Sequence, residues 1–89
     1  MKKAIITVIG KDKVGIIYGV TKVLSENNVN VLDISQTIMQ DMFTMIMLVE
    51  GDEKTSVKNI IEQLQAIGEE MELSIHVQRE EIFSSMHRI

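Results

Sequence analysis

The chain has 89 residues and a formal net charge of −4 at neutral pH. A domain of this size buries only about 60 to 70% of the surface that its unfolded chain exposes, so it often gains stability by pairing with another chain. It contains no cysteine, which excludes disulfides, thiolate metal ligands and thiol catalysis. The net negative charge does not favour binding to nucleic acid, whose phosphates are bound mainly by lysine and arginine. The apolar run at residues 4–9 is too short for a signal peptide or a membrane span. We therefore expect a cytoplasmic protein with no nucleic-acid or membrane partner.

The first half of the chain predicts a strand, a helix and a hairpin. Residues 4–9 (AIITVI) are a continuous apolar run rich in β-branched residues, which predicts a strand. Residues 13–28 predict a helix, because their apolar side chains have the spacing of one helical face: Ile16, Ile17, Val20, Val23 and Leu24. Residues 30–40 alternate between apolar and polar, and a second extended run follows Gln40 and Asp41. Residues 30–50 are therefore predicted to form a hairpin.

The second half predicts another helix and a last strand. Thr55 or Ser56 can cap a helix that ends at Gly68, and its apolar face consists of Val57, Ile60, Ile61, Leu64 and Ile67. Residues 72–78 alternate as a fourth strand. The order βαββαβ predicts an α+β, ferredoxin-like sandwich, with a four-stranded antiparallel sheet and two helices on one face. Residues 1–78 are expected to form this domain, and residues 79–89 a tail with a short helix at about 81–88.

The apolar pattern of the strands also predicts which of them are central. The first and third strands are apolar on both faces, whereas the second and fourth are apolar on one face only. Two helices cover only one face of the sheet, so the other face of the central strands needs a cover. We expect a homodimer, joined edge to edge or face to face. The tail is a further candidate cover through Ile82, Phe83, Met86 and Ile89.

The stretch VIGKDKVGIIYGV, residues 8–20, lies between the first strand and the first helix. Gly10 is expected to end the strand in a tight turn, where glycine permits a positive φ. Asp12 is expected at the helix start, where a carboxylate can accept hydrogen bonds from free amides. Gly15 is expected within the first helical turn, where it costs roughly 0.5 to 1 kcal/mol relative to alanine. A glycine there leaves the amides open to an anion, whereas Gly19 indicates close helix packing.

With its βαββαβ order, the motif GKDKVGI and the segment LSENNVNVLDISQ, the chain resembles the ACT domain over residues 3–78. ACT domains are small regulatory modules of amino-acid metabolism. In particular it is similar to the short, free-standing ACT proteins of the UPF0237 type, related to the glycine cleavage system repressor. Matching positions are Gly10, Asp12, Gly15, Ile16, Asn30, Val31 and Asp33. Val14 stands where ACT turns often have proline, and this departure loosens the turn.

The resemblance implies that a small molecule, usually an amino acid, binds near this turn at an interface between paired domains. The implied ligand-binding residues are Gly10, Lys11, Asp12, Lys13, Val14, Gly15, Ile16, Asn30 and Asp33. The ligand carboxylate would bind the amides of Lys13, Val14 and Gly15. Its ammonium group would bind Asp12 or an Asn carbonyl from a partner's second strand.

The chain lacks the residues that other activities of this fold require. Acylphosphatase chemistry needs an arginine in the first turn, RNA recognition needs aromatics on the central strands, and a P-loop needs Lys-Ser or Lys-Thr after its second glycine. Closely spaced methionines (Met39, Met42, Met45 and Met47) are better explained as core or interface residues than as copper ligands. His76 and His87 are interpreted as solvated. We predict no catalytic residue, metal site or cofactor.

Two functions remain open from the residues. In the first, the protein is a homodimeric sensor that binds an amino acid and alters its contacts with a regulated protein. In the second, it is a protein-interaction module or regulatory subunit without a ligand. Gly10, Asp12 and Gly15 favour the sensor, whereas Val14 favours the interaction module.

Overall fold

The computed structural model describes residues 2–81, and these form the predicted βαββαβ order. The elements are β1 (Lys3–Lys11), α1 (Ile16–Glu26), β2 (Asn30–Met39), β3 (Met42–Glu50), α2 (Val57–Met71) and β4 (Leu73–Arg79). Glu80 and Glu81, the last two described residues, are helical. The rest of the predicted tail helix lies outside the described residues.

The four strands form one antiparallel sheet in the order β2-β3-β1-β4. The prediction that β1 and β3 are central and β2 and β4 are edges is therefore confirmed. In the register, Gly10 lies opposite Phe43 on one side and Leu73 on the other. A β-bulge interrupts the pairing of β2 with β3 between Val31 and Asp33.

The core lies between the sheet and the two helices. Central-strand residues Ile6, Val8, Met45, Met47 and Val49 expose no surface. They pack with buried residues of α1 and α2, whose buried positions are Ile16, Val20, Val23 and Leu24 in α1 and Ile60, Leu64 and Gly68 in α2. Met45 and Met47 are thus core residues, where flexible thioethers fill irregular space.

The helix boundaries differ from the predictions at two glycines. α1 begins at Ile16, three residues later than predicted, because Gly15 is its N-cap. α2 continues past Gly68 to Met71 and ends at Glu72, which adopts the left-handed conformation with φ 58°. Gly68 is instead a packing residue, since a Cβ there would lie 2.9 Å from the carbonyl oxygen of Leu73. Of the two predicted caps, Thr55 and Ser56, the helix uses Ser56, whose Oγ accepts a hydrogen bond from the Asn59 amide.

The face of the sheet opposite the helices carries apolar side chains, as the strand pattern predicted. Ile9 is 40% exposed and Ile46 is 41% exposed on this open face, although both lie on central strands. Ile5 also lies on this face and is buried, but it is not part of the core cluster. A central strand that is apolar on both faces therefore leaves surface that the two helices do not cover.

The edge strand β2 is much more exposed than its alternating pattern predicted. Ile34 and Ile38 pair with the buried residues Met47 and Phe43, so they lie on the helix face of the sheet. They are nevertheless 44% and 55% exposed, because the helix layer makes little contact with β2. Every residue of β2 except Val31 is exposed. The helix face thus has an uncovered apolar strip at the β2 edge.

Candidate functional site

The turn between β1 and α1, residues 10–16, is the part of the molecule that the sequence singles out. It begins within β1, because Gly10 is still paired with Phe43 and Leu73 and the strand continues to Lys11. The expectation that Gly10 ends the strand with a positive φ is therefore wrong. Glycine is needed at position 10 because neighbouring atoms approach it closely. A Cβ there would lie 2.6 Å from the Leu73 Cδ2 and 3.2 Å from the carbonyl oxygen of Glu72.

Gly15 has the conformation that Gly10 lacks. Its φ is +92° and it is the N-cap of α1, not a residue of the first helical turn. A side chain there would meet no atom within 4 Å, so the requirement for glycine comes from the backbone alone. The Gly15 carbonyl accepts the first helical hydrogen bond, from the Gly19 amide at 2.9 Å.

The N-terminus of α1 has no side-chain cap. The amides without a helical partner are those of Gly15, Ile16, Ile17 and Tyr18, because these four N–H groups precede the first helical hydrogen bond. The ligand was expected to use the amides of Lys13, Val14 and Gly15. Of these three residues, only Gly15 belongs to the helix start, as its N-cap, whereas Lys13 and Val14 precede it.

Asp12 is not the cap that the sequence predicted. It precedes the helix by four residues, and no hydrogen bond joins its carboxylate to a helix amide. Its backbone amide donates instead to the carbonyl of Asp41 in the β2–β3 turn, at 2.8 Å. Asp12 is exposed, so its carboxylate is available to a ligand without a cost to the helix.

Lys13 is bound to the other helix. Its Nζ donates to the carbonyl oxygen of Met71 at 2.5 Å and lies 3.9 Å from the Glu72 carboxylate. Met71 is the last residue of α2, where carbonyls lack helical partners and a positive charge is favourable. Lys13 therefore holds the turn against α2, and its ammonium group is already engaged.

The other residues of the turn differ in exposure. Lys11 and Asp12 are exposed, and Val14 is fully exposed at 100%. Ile16 is 2% exposed and belongs to the core. Within this turn, side chains that can reach a ligand are those of Lys11, Asp12 and Val14.

Asn30 and Asp33 lie far from the turn of their own chain. Asn30 pairs with Glu50, whereas Gly10 pairs with Phe43 at the other end of β3. Seven strand steps separate these two levels of the sheet, which is about 23 Å. Asp33 follows the bulge and its Oδ1 accepts a hydrogen bond from the Ile34 amide at 2.9 Å. The structure therefore does not bring the predicted ligand residues together within one chain.

Three residues join the candidate site without a signal in the sequence. Asp41 and Met71 contribute only backbone carbonyls, which any residue would supply. Tyr18 contributes a free amide, and its side chain is 68% exposed on the first turn of α1. A backbone contact between segments distant in sequence leaves no residue pattern.

Other chemistry has no support between residues 2 and 81. His76 is exposed, as predicted, and its Nε2 lies 3.2 Å from the Ser74 Oγ. No group of three or more His, Asp or Glu side chains in this range could hold a metal ion. No helix within it is long and apolar enough to cross a membrane.

The sheet order, the two covering helices and the glycine-containing turn define a ferredoxin-like domain of the regulatory ACT type. A family model for the ACT domain matches residues 2–78. The chain belongs to the ACT domain family, whose members commonly bind small-molecule ligands and dimerise.

Known proteins are similar to this chain over nearly its whole length. A UPF0237 protein of Clostridium perfringens is 54% identical over 87 residues, with 97% of this chain and 98% of the relative covered. The structure of an ACT domain protein from Streptococcus pneumoniae superposes with a TM-score of 0.80 at 41% identity, covering 92% and 93% of the two chains.

A more distant solved structure shares the fold. It is a putative glycine cleavage system transcriptional repressor, with a TM-score of 0.79 at 23% identity. The alignment covers 88% of this chain and 45% of the repressor.

Proposed function

We propose that this protein is a cytoplasmic, homodimeric sensor that binds an amino acid at the β1–α1 turn and thereby alters its contacts with a regulated protein. The observation that carries the proposal is the separation of the two halves of the candidate site. Asp12 and the free amides of α1 lie at one end of the sheet, and Asn30 and Asp33 lie at the other. The site needs a second subunit to be complete.

The geometry of β2 favours a dimer that joins the sheets edge to edge. β2 is an edge strand of ten residues, and an edge strand presents unpaired N–H and C=O groups to another chain. Antiparallel pairing of β2 with its own copy, about a two-fold axis near Ile34 and Ser35, would place Asn30 opposite Met39 of the partner subunit. Met39 lies beside the level of Gly10 in the sheet. Each turn would then approach Asn30 of the partner subunit.

The same pairing would cover the apolar strip at the β2 edge. Ile34 and Ile38 are half exposed, and Ile17 is 39% exposed on α1. Burial of such side chains contributes roughly 25 cal/mol for each Å² of apolar surface removed from water. The open face, with Ile9 and Ile46, would remain available for the regulated protein.

The chemistry of the site fits an amino acid. A carboxylate would bind the free amides of Ile16, Ile17 and Tyr18, where the helix dipole favours negative charge. An ammonium group would bind the Asp12 carboxylate, or the side-chain carbonyl of Asn30 of the partner subunit. An α-amino acid carries one charge of each sign, so a single ligand can engage both kinds of group. No covalent step is involved, so the proposed role is regulatory and not catalytic.

A second function is favoured by one observation. Val14, in the turn, is fully exposed, and Tyr18, in the first turn of α1, is 68% exposed. Apolar groups at this position could instead contact another protein directly. In that case the chain would be an interaction module or regulatory subunit without a ligand.

A thermal-shift screen of the twenty amino acids distinguishes the two functions. A ligand that binds only the native state adds about 2.7 kcal/mol at a hundred times its dissociation constant. For a domain of this size each kcal/mol raises Tm by roughly 4 to 8 °C. Asp12→Asn should remove most of that shift and leave the Tm of the unliganded protein unchanged. A screen without any shift would support the interaction module.

Gly15→Leu, which would block the approach to the amides, is a poor control for this screen. Leucine disfavours the φ of +92° at residue 15, so the variant should be destabilised with or without a ligand. Glu62→Gln is the better matched control, because it also removes one exposed carboxylate charge but lies on α2, outside the turn.

A further inference from the structure

A groove of about 890 Å³ lies at the end of the sheet opposite the β1–α1 turn. It lies where β1 begins, β4 ends and α2 begins. Its apolar lining consists of Ala4, Val57, Ile61 and Val77. We call it the tail groove, because the last described residues, Glu80 and Glu81, also line it.

Three of the four apolar residues of the tail groove are incompletely covered by residues 2–81, and the fourth, Ala4, is buried. Val57 and Ile61 are one helical turn apart on α2 and are both half-buried, as is Val77 on β4. Val77 packs against the core, whereas Val57 and Ile61 are not part of the core cluster. An apolar floor at this position indicates an occupant with apolar side chains.

The chain itself supplies such a segment. Eight residues, IFSSMHRI, follow Glu81, and four of them are large and apolar: Ile82, Phe83, Met86 and Ile89. Their spacing places them on one side of a helix, and Glu80 and Glu81 are already helical. Eight residues of helix span about 12 Å, which is about twice the one-turn separation of Val57 and Ile61.

We propose that residues 82–89 occupy the tail groove of their own chain, with their apolar side chains against Val57 and Ile61. Two segments could occupy the groove: residues 82–89 of the same chain, or residues 82–89 of another copy. The covalent link to Glu81 favours the segment of the same chain. The segment starts at Glu81 on the groove, and a directly tethered segment has an effective concentration of about mM. The corresponding segment of another chain would have to bind at the much lower concentration of the free protein. The tail groove is distinct from both the turn and the β2 edge.

Crosslinking between introduced cysteines tests the proposal in the full-length chain. The natural sequence has no cysteine, so Ile61→Cys with Phe83→Cys, or with Met86→Cys, gives a pair without background. Treatment with a short bismaleimide should join the two positions in one chain, detected as an internally crosslinked peptide of monomer mass. The matched control is Ser35→Cys with Phe83→Cys, because Ser35 is exposed on β2. This control pair should give no intrachain product.

Each result decides the proposal. An intrachain crosslink with Ile61 and none with Ser35 supports it. A crosslink that joins position 61 of one chain to the tail of another would overturn it, because another copy's segment would then occupy the groove. Equal crosslinking to Ile61 and Ser35, or none to Ile61 from either tail position, would also overturn it.

A double-mutant cycle provides a second measurement without crosslinking. Ile61→Ser and Phe83→Ser should each lower Tm, and the double variant should lower it by clearly less than their sum, because both remove the same contact. Val20→Ala, at a buried position of α1, with Phe83→Ser should give additive shifts. Additive shifts for Ile61 and Phe83 would contradict the proposal.

Discussion

The backbone amide of Asp12 donates a hydrogen bond to the backbone carbonyl of Asp41, at 2.8 Å. This contact joins the β1–α1 turn to the β2–β3 turn, while Lys13 joins the same β1–α1 turn to the end of α2. The turn is thus held at two places by segments distant in sequence. A ligand that shifts the turn would act on the sheet and on the second helix together.

Substitution of Gly15 should lower stability more than substitution of Asp12. If Asp12 capped α1, its substitution would be costly as well. Asp12→Ala should change the free energy of unfolding by less than about 0.5 kcal/mol, because its exposed carboxylate caps nothing. Gly15→Ala should cost about 1 to 2 kcal/mol, because alanine disfavours the left-handed conformation. Urea denaturation of both variants measures the difference. A larger cost for Asp12→Ala than for Gly15→Ala would contradict the structure.

Gly10 and Gly19 form a second contrasting pair. Gly10→Ala places a Cβ 2.6 Å from the buried Leu73 side chain, so it should destabilise the protein by about 1 to 3 kcal/mol through overpacking. Gly19→Ala places a Cβ 3.7 Å from Ile67, an ordinary contact, within α1. It should stabilise by up to about 1 kcal/mol through helix propensity. Thermal denaturation should move Tm in opposite directions for the two variants.

The contact of Lys13 with α2 predicts a stability cost that its neighbour does not share. Lys13→Met removes the hydrogen bond to the Met71 carbonyl, which should cost about 0.5 to 1.5 kcal/mol. The Glu72 partner is largely exposed, so the ion pair itself should add less than about 1 kcal/mol. Lys11→Met is the matched control and should be near neutral. Equal denaturation midpoints for these two variants would argue against the contact.

Two lysine substitutions test the mode of dimerisation. Ile34 on the β2 edge and Ile46 on the open face are similarly exposed, at 44% and 41%. If the dimer joins β2 edges, Ile34→Lys should shift the protein to monomer in sedimentation velocity at micromolar concentration, and Ile46→Lys should not. The reverse result would indicate a face-to-face dimer. A wild-type chain that sediments as a monomer would remove the basis for a shared site.

Asp52 gives a prediction about pH. The hydrogen bond from the Thr55 hydroxyl, with those from the Lys54 and Thr55 amides, holds the pKa of Asp52 below its ordinary value. A lowered pKa means that the contact stabilises the fold above the unfolded-state pKa and is lost as pH falls through the folded-state pKa. Thr55→Val should raise the Asp52 pKa towards its ordinary value in an NMR titration. Ser56→Ala should leave this pKa unchanged, although it removes the α2 cap.

The order of elements, the sheet order and the central strands could be predicted because periodicity and two-faced burial leave direct marks on the sequence. Ser56 was predictable as a cap for the same reason, since a hydroxyl before an apolar helix pattern is a local signal. Both glycines are recognisable as constrained positions, but the positive φ expected at Gly10 is found at Gly15. Gly10 needs space beside Leu73, and Gly15 needs a left-handed backbone, and sequence alone does not distinguish close approach from conformation.

The candidate site was less predictable, because it depends on tertiary register. The distance between Asn30 and Gly10 is set by the pairing of both with β3, and nothing local to either residue encodes it. The same is true of Lys13, whose acceptor is a backbone carbonyl 58 residues away. Exposure of β2 was missed for a related reason: alternation shows which side chains share a face, but not how far the helix layer extends over it.

Among residues 2–81, the sheet has two unlike edge strands, β2 with ten residues and β4 with seven. A contact between unlike edges would leave one of each unused, so that copies could add without limit and form a filament. A contact of β2 with itself consumes both copies of the longer, more apolar edge and closes at two. What remains outside is β4, whose solvent-facing positions include His76 and Arg79. In a dimer that joins β2 to β2, the polarity of the shorter edge would therefore oppose the addition of further copies.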